Sequence, residues 1–285
     1  MGRRKTLQEL TIKDNFMFGA VMVDEELCKE FLELVLGFRI SKVTVCKEKS
    51  MVYHPEYRGI RLDITAADEK STHYNVEMQV KRRKNLGKRS RYYHSQIDME
   101  LLNTGLDYDL LPDSYVIFLC DFDPFFQNKY RYTFDMVCRE DDKISLEDGS
   151  HTIFLSTHGK NEEEVSSGLV RFLEYVKSDT EETEAEDDFV KRVQEAVRKV
   201  KKSREMEDRY MTLEELIKEE REEAKEEGRT EGQRDMILKR LSLLGEVPEE
   251  LQEKIRSEKD EKVLYAYVEA AFEAKTIEEF IQKMK

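Results

Sequence analysis

The stretch SYVIFLCDF, residues 114–122, carries an unbroken apolar run between a serine and an aspartate. A strand with one face in water alternates polar and apolar residues, whereas a short continuous run suits a strand buried on both faces. Such a strand needs a covering layer on each side, so the chain must place a sheet between helices. The neighbouring sequence supplies them. Residues 24–37, DEELCKEFLELVLG, put Leu27, Phe31, Leu34 and Val35 at helical spacing, open with acids suited to the positive end of a helix, and stop at a glycine. Asp14 precedes Phe16, Met17 and Phe18 in the position of a helix cap. Residues 42–49 read as a β-branched strand, and 130–138 and 151–156 as two more. Residues 88–108 read as a long amphipathic helix ended by DLLPDS, and 161–177 as a closing helix.

Two segments upstream of the apolar run alternate cleanly. In RLDITA, residues 61–66, Leu62 and Ile64 face one way while Arg61, Asp63 and Thr65 face the other. In YNVEMQV, residues 74–80, Tyr74, Val76, Met78 and Val80 face the core while Asn75, Glu77 and Gln79, followed by Lys81, face away. The polar run DEKST between them is a turn. An antiparallel hairpin turning about Lys70 sets Ile64 opposite Val76 and Leu62 opposite Met78, and the same register sets Asp63 opposite Glu77.

Like charges facing each other across strands destabilise a sheet, so such a pair raises one pKa or holds a cation. Hard oxygen donors suit Mg²⁺, which takes one or two carboxylates and fills its shell with water and phosphate oxygens. A metal held this way activates water and stabilises charge on a phosphodiester. The residues that follow suit the same use. No acid occurs from Met78 to Ile97, while Lys81, Arg82, Arg83, Lys84, Lys88, Arg89 and Arg91 supply positive charge and Tyr92 and Tyr93 close the stretch. A basic run beside paired acids reads as a phosphate clamp. A solvated basic loop beside a surface acid pair accounts for the same composition.

The charge balance separates two regions. Residues 1–178 hold 26 basic and 30 acidic residues, while 179–285 hold 22 and 32, so most of the net charge of −14 belongs to the tail. We read residues 179–188 as an acidic linker and 189–285 as a charged helical region. There, Phe189, Val190, Val193, Val197, Val200, Leu213, Leu216 and Ile217 form a thin apolar stripe, suited to a solvated helix or one leg of a helical pair. GRTEG, residues 228–232, reads as a turn or hinge, and the helices offer a route to a homo-oligomer. Cys28, Cys46, Cys120 and Cys138 form no CxxC pair and, with five scattered histidines, no zinc spacing. The basic start MGRRKTLQEL lacks a secretory leader's apolar core, and no apolar run is long enough to span a bilayer. A cytoplasmic protein without a membrane partner is expected.

The order helix, three strands, helix, strand, with Asp63 on one hairpin strand and Glu77-x-Gln79 on the next, resembles the PD-(D/E)XK nuclease superfamily. More narrowly it resembles the recombination-promoting nuclease and transposase branch. The pieces that carry the resemblance are TIKDNFMFGAVM, RLDITA, YNVEMQ, RYYHSQID and GLDYDLLPDSYVIFLCDF, with KEEGRTEGQRD in the tail. It implies an α/β fold with a restriction-endonuclease-like αβββαβ core over residues 1–178 and a charged helical C-terminal extension. It implies Asp63 and Glu77 as metal-binding carboxylates for Mg²⁺ or another divalent ion, with Gln79 completing the catalytic set. Lys81, Arg82, Arg83, Lys84, Arg89 and Arg91 then contact DNA, and Asp14 and Gln96 are accessory. Two departures stand out: Leu62 replaces the motif's proline, and Gln79 stands where many members have lysine. Glutamine orients by hydrogen bonds and carries no charge, so neutralisation falls to Lys81 or a second metal. The implied function is a metal-dependent DNA endonuclease acting in recombination, mobile-element or defence biology. The alternative is a catalytically silent DNA-binding or oligomerising protein on the same scaffold.

Overall fold

A computed structural model of the chain describes residues 5–47, 50–51, 60–61, 64–102, 104–178 and 185–284. Two helices come first, α1 (Asn15–Met22) and α2 (Glu25–Leu36). Asp24 caps α2 by accepting from the amides of Glu26 and Leu27, and Gly37 ends it in the left-handed region at φ 82°. The strands β1 (Val43–Lys47), β2 (Ser50–Met51), β3 (Ile60–Arg61), β4 (Ile64–Asp68) and β5 (His73–Gln79) lead into helix α3 (Leu86–Leu101). Then come β6 (Ser114–Cys120), β7 (Arg131–Phe134), β8 (Ser150–Ser156), α4 (Ser167–Ser178) and α5 (Asp188–Lys202). Helix α3 stops short of the expected residue 108: Leu102 caps it in extended backbone, its amide still bonded to the Asp98 carbonyl, and a separate turn of 3₁₀ helix follows at Tyr108–Leu110.

Among the described residues, six strands form one mixed sheet in the order β1-β4-β5-β6-β8-β7, while β2 and β3 pair with each other. Strands β1, β4 and β5 are antiparallel neighbours, and β5, β6 and β8 run parallel. The β4–β5 hairpin has the register anticipated from alternation: Ile64 opposes Val76, Thr65 opposes Asn75 and Ala66 opposes Tyr74. Its turn is pinned by Asp68, whose carboxylate accepts from the amides of Lys70 and Thr72 and from the Tyr74 hydroxyl. Ser71 completes the turn at φ 66°.

The central strand β6 is buried along almost its whole length, as its unbroken apolar run requires. One face of the sheet carries Tyr74, Val76 and Met78 and lies against the layer containing α1, α2 and α4. The other face carries Val116, Phe118 and Cys120 under Leu86, Tyr93 and Ile97 of α3. Asn75, Glu77 and Gln79 share that second face, so they are buried beneath a helix where alternation alone turned them away from the core. Parallel pairing lines up Glu77, Phe118 and Phe154 as one row across β5, β6 and β8.

Two compact units divide between Glu207 and Asp208. In the first, the stripe Phe189, Val190, Val193, Val197 and Val200 of α5 is buried, and α5 packs against α1, α2 and α4. Helix α6 (Arg204–Ser242) begins beside the division, and α7 (Glu249–Ser257), α8 (Glu261–Glu273) and α9 (Ile277–Lys283) follow. The second unit has its own core, where Ile237 and Leu241 meet Leu251, Ile255, Leu264, Tyr267 and Phe280. GRTEG is no turn: α6 runs straight through it. The flanking Glu, Arg and Gln are strong helix formers and outweigh a penalty of about 1 kcal/mol per glycine.

Candidate active site

The site begins with β5, whose pleat puts Glu77 and Gln79 side by side on the face that α3 covers. Glu77 is only 2% exposed. A buried carboxylate needs pairing, and among the described residues Arg89 of α3 supplies it, its Nη2 donating to Glu77 Oε2 at 3.2 Å. The same guanidinium donates through Nη1 to Gln79 Oε1 at 3.1 Å and through Nη2 to the Tyr93 hydroxyl. Its carbon lies 5.3 Å from the Tyr93 ring centre and 5.8 Å from that of Phe118. Gln79 turns its amide nitrogen onto the Met78 carbonyl at 3.0 Å, which leaves its oxygen for Arg89. One planar cation therefore spans both candidate side chains of β5.

Asp63 lies outside the described residues, and so does its expected pairing with Glu77. Lys81, Arg82, Arg83 and Lys84 form the exposed connection from β5 to α3. Arg82 is held there: its guanidinium lies over Phe122 and Phe126 and donates to the Asp123 carbonyl. Arg91 is exposed on α3, whereas Arg89, two residues earlier, reaches the sheet. Gln96 is buried on α3, with its amide nitrogen near the Met99 sulfur. Asp14 occupies the N-cap position of α1, but its carboxylate accepts from the Thr11 amide at 2.9 Å and from Lys5 at 3.1 Å and makes no bond to the helix amides.

The structure adds three features to the sequence reading. Arg89, expected among the DNA contacts, also reaches Glu77 and Gln79, and its spacing from Leu86, Tyr93 and Ile97 along the sheet-facing stripe of α3 was the available signal. Asn75 precedes Glu77 by two residues on the same face, and neither of its amide atoms has a hydrogen-bond partner among the described residues, nor does the Thr65 hydroxyl opposite it. Lys13 Nζ pairs with Asp121 Oδ2 at 2.9 Å, and the Asp121 amide donates to the Gln79 carbonyl. Only chain adjacency across the end of the sheet joins these last residues, and it has no local signature.

Carboxylate, amide and hydroxyl oxygens on one face are hard donors and fit a cation such as Mg²⁺, which requires few carboxylates. Among the described residues no cluster of three or more His, Cys, Asp or Glu has metal-site geometry. Nucleophilic thiol chemistry is excluded for Cys28 and Cys120, since burial pushes each thiol up to about 12. His94, on the sheet-facing side of α3, bonds Ser114 Oγ through Nδ1 at 2.8 Å and Thr152 Oγ1 through Nε2 at 3.1 Å. Its burial lowers its pKa to about 4, with Asp148 opposing the shift and His151 adding to it, so it is neutral at pH 7 and serves packing. No helix among the described residues is long and apolar enough to cross a membrane.

A protein-family model described as PD-(D/E)XK nuclease family transposase matches residues 15–243. No curated protein and no solved structure shows significant similarity to the chain.

Proposed function

The chain belongs to the PD-(D/E)XK nuclease family of transposases, and on that premise we propose that it is a Mg²⁺-dependent DNA endonuclease. The observation that carries the reading is the buried Glu77–Gln79 pair on β5, gripped by one arginine beside an exposed basic loop. The sequence pattern pairs Asp63 with Glu77, and we assign these two carboxylates to the metal. When bound, the ion supplies an activated water and charge stabilisation at the phosphodiester. Gln79 orients the attacking water by hydrogen bonding. Arg89 replaces the lysine that many members carry at the Gln79 position, bringing a permanent positive charge to the phosphoryl oxygens. To free the Glu77 carboxylate, its guanidinium rotates outward onto the substrate phosphate. Lys81, Arg82, Arg83, Lys84 and Arg91 hold the backbone on either side, with Asp14 and Gln96 accessory. The biological setting that fits is recombination, mobile-element movement or defence, inside the cytoplasm.

The test is nicking of supercoiled plasmid by the full chain, with and without Mg²⁺, beside Asp63→Ala and Glu77→Gln. Loss of nicking in both variants and in EDTA supports the assignment; cleavage retained by Asp63→Ala and Glu77→Gln refutes it. The Arg89 contact also favours a second reading, in which the guanidinium permanently neutralises Glu77 and the scaffold only binds DNA. That protein binds DNA in a salt-dependent, Mg²⁺-independent way and cuts nothing. The exposed Met211 and Leu216 of α6 supply a contact for self-association, which sedimentation of the chain truncated at residue 207 tests.

A further inference from the structure

On the α3 side of the sheet, where the row from Glu77 through Phe118 reaches Phe154, a cleft of about 390 Å³ opens. This is within the roughly 300–1,000 Å³ range of small-ligand sites. Its walls are aromatic. Phe125 stands edge-on to Phe154 with ring centres 5.1 Å apart and lies 5.0 Å from Phe134, which is edge-on to Phe154 in turn. At the α3 side, Ser90 and Thr152 present hydroxyls bonded to each other, and at the mouth stand Arg82, Arg83 and Lys84. Neither Glu77 nor Arg89 lines it.

The wall is built to stay open to solvent. Phe125 and Phe134 are both partly exposed, and Phe126 next to them is 72% exposed. Their loop is held by Asp123, whose carboxylate accepts from the Phe125 amide at 3.0 Å, the Asn128 amide at 2.7 Å and the Tyr132 hydroxyl at 2.7 Å. Burial alone would raise the Asp123 pKa, but these bonds bring it below the ordinary carboxylate value, so the clamp is charged at neutral pH. Phe126 sits in the left-handed region at φ 59°, where a bulky residue is strained, and its ring covers the Arg82 guanidinium at 3.9 Å. This loop and the end of β7 thus place three phenyl groups and one guanidinium beside a basic rim.

We propose that this cleft receives an unpaired nucleobase of the DNA substrate, so that the chain prefers single-stranded, bulged or flipped-base DNA over a perfect duplex. The inference rests on the nuclease reading above. Aromatic walls offer stacking to any base, the hydroxyl pair offers hydrogen bonds to a base edge, and the cations take the adjoining phosphates. A base inside a duplex is stacked on both sides and cannot enter. Two strand spacings separate Glu77 from Phe154 along their row, about 10 Å, or about three base steps of a B-form strand. The captured base therefore lies a few nucleotides from the phosphate presented to Glu77.

The experiment is fluorescence anisotropy of the full chain in EDTA with three labelled oligonucleotides: single-stranded, duplex with a three-base bulge, and perfect duplex. We compare wild type with Phe125→Ala, which removes a wall, and Gly87→Leu, which fills the cleft. Gly87 lines the cleft and a Cβ there meets nothing within 4 Å, so the backbone accepts a side chain at this position. Wild type should bind the single-stranded and bulged probes at least 10-fold tighter than the duplex. Both variants should lose about 5- to 160-fold on those probes, the worth of one stacked base, with duplex binding unchanged. Equal wild-type affinity for all three probes, or undiminished bulge binding by Gly87→Leu, overturns the cleft assignment and leaves the nuclease reading standing. No binding to any of the three, with Ca²⁺ in place of EDTA as well, overturns both.

Discussion

Replacing Arg89 by methionine isolates the interaction on which the site geometry turns. The Glu77 side chain is 3% exposed and that of Arg89 22%, with 3.2 Å between the charged atoms. At an effective dielectric near 20, unit charges at that separation attract by about 5 kcal/mol. Water reaching the arginine weakens this, while methionine takes the guanidinium away from a buried carboxylate and from two further acceptors, on Gln79 and Tyr93. One-sided removal from buried pairs costs about 3–5 kcal/mol, and the partial exposure places Arg89→Met near about 3 kcal/mol. For a unit of this size that corresponds to a fall in Tm of about 6–12 °C, measurable by calorimetry. Glu77→Gln in the same chain should restore most of the loss, with a coupling of at least about 1.5 kcal/mol in the double-mutant cycle. Mg²⁺ should raise the Tm of Arg89→Met more than that of wild type, since a cation then replaces the missing one. A variant melting within about 2 °C of wild type, with no coupling to Glu77, would refute the pairing argument and with it the role given to Arg89.

Acid sensitivity should trace partly to His94, whose folded pKa is lowered from 6.5 to about 4. A neutral folded imidazole contributes stability above the unfolded value that is lost as pH falls from about 6.5 towards 4; at pH 5 the loss is about 2 kcal/mol. The difference in Tm between pH 7 and pH 5 should shrink in His94→Gln, and an unchanged difference would exclude the histidine as its source. Gly228→Ala and Gly232→Ala in α6 meet open space and should each stabilise the helix by about 1 kcal/mol in chemical denaturation. Reduced helicity on circular dichroism would instead mean that the glycines bend α6.

Local patterns carried much of the fold. The β4–β5 register followed from two alternating segments and a turn, because a hairpin brings together residues already close in the chain, and one slipped residue would turn every apolar side chain to the wrong face. Helix α2 was legible from its spacing, its acid start and Gly37. GRTEG misled because glycine is weak punctuation when strong helix formers surround it. The burial of Glu77 was missed for a different reason: alternation says which face a residue takes, but not what lies on that face.

The sequence by itself determined a sheet between helices, the hairpin register, and the placing of Glu77 and Gln79 on one face of a strand. Those are consequences of periodicity and turn chemistry within a few residues. Only the tertiary structure decided that Arg89 closes over that face, because this depends on how α3 lies across the sheet. Likewise, only parallel pairing of β6 with β8, 36 residues apart at Ser114 and Ser150, brings Phe154 into the row of Glu77. The cleft beside it combines that strand with a loop and the start of α3. No local period encodes such long-range adjacency; it appears when the apolar faces are buried together.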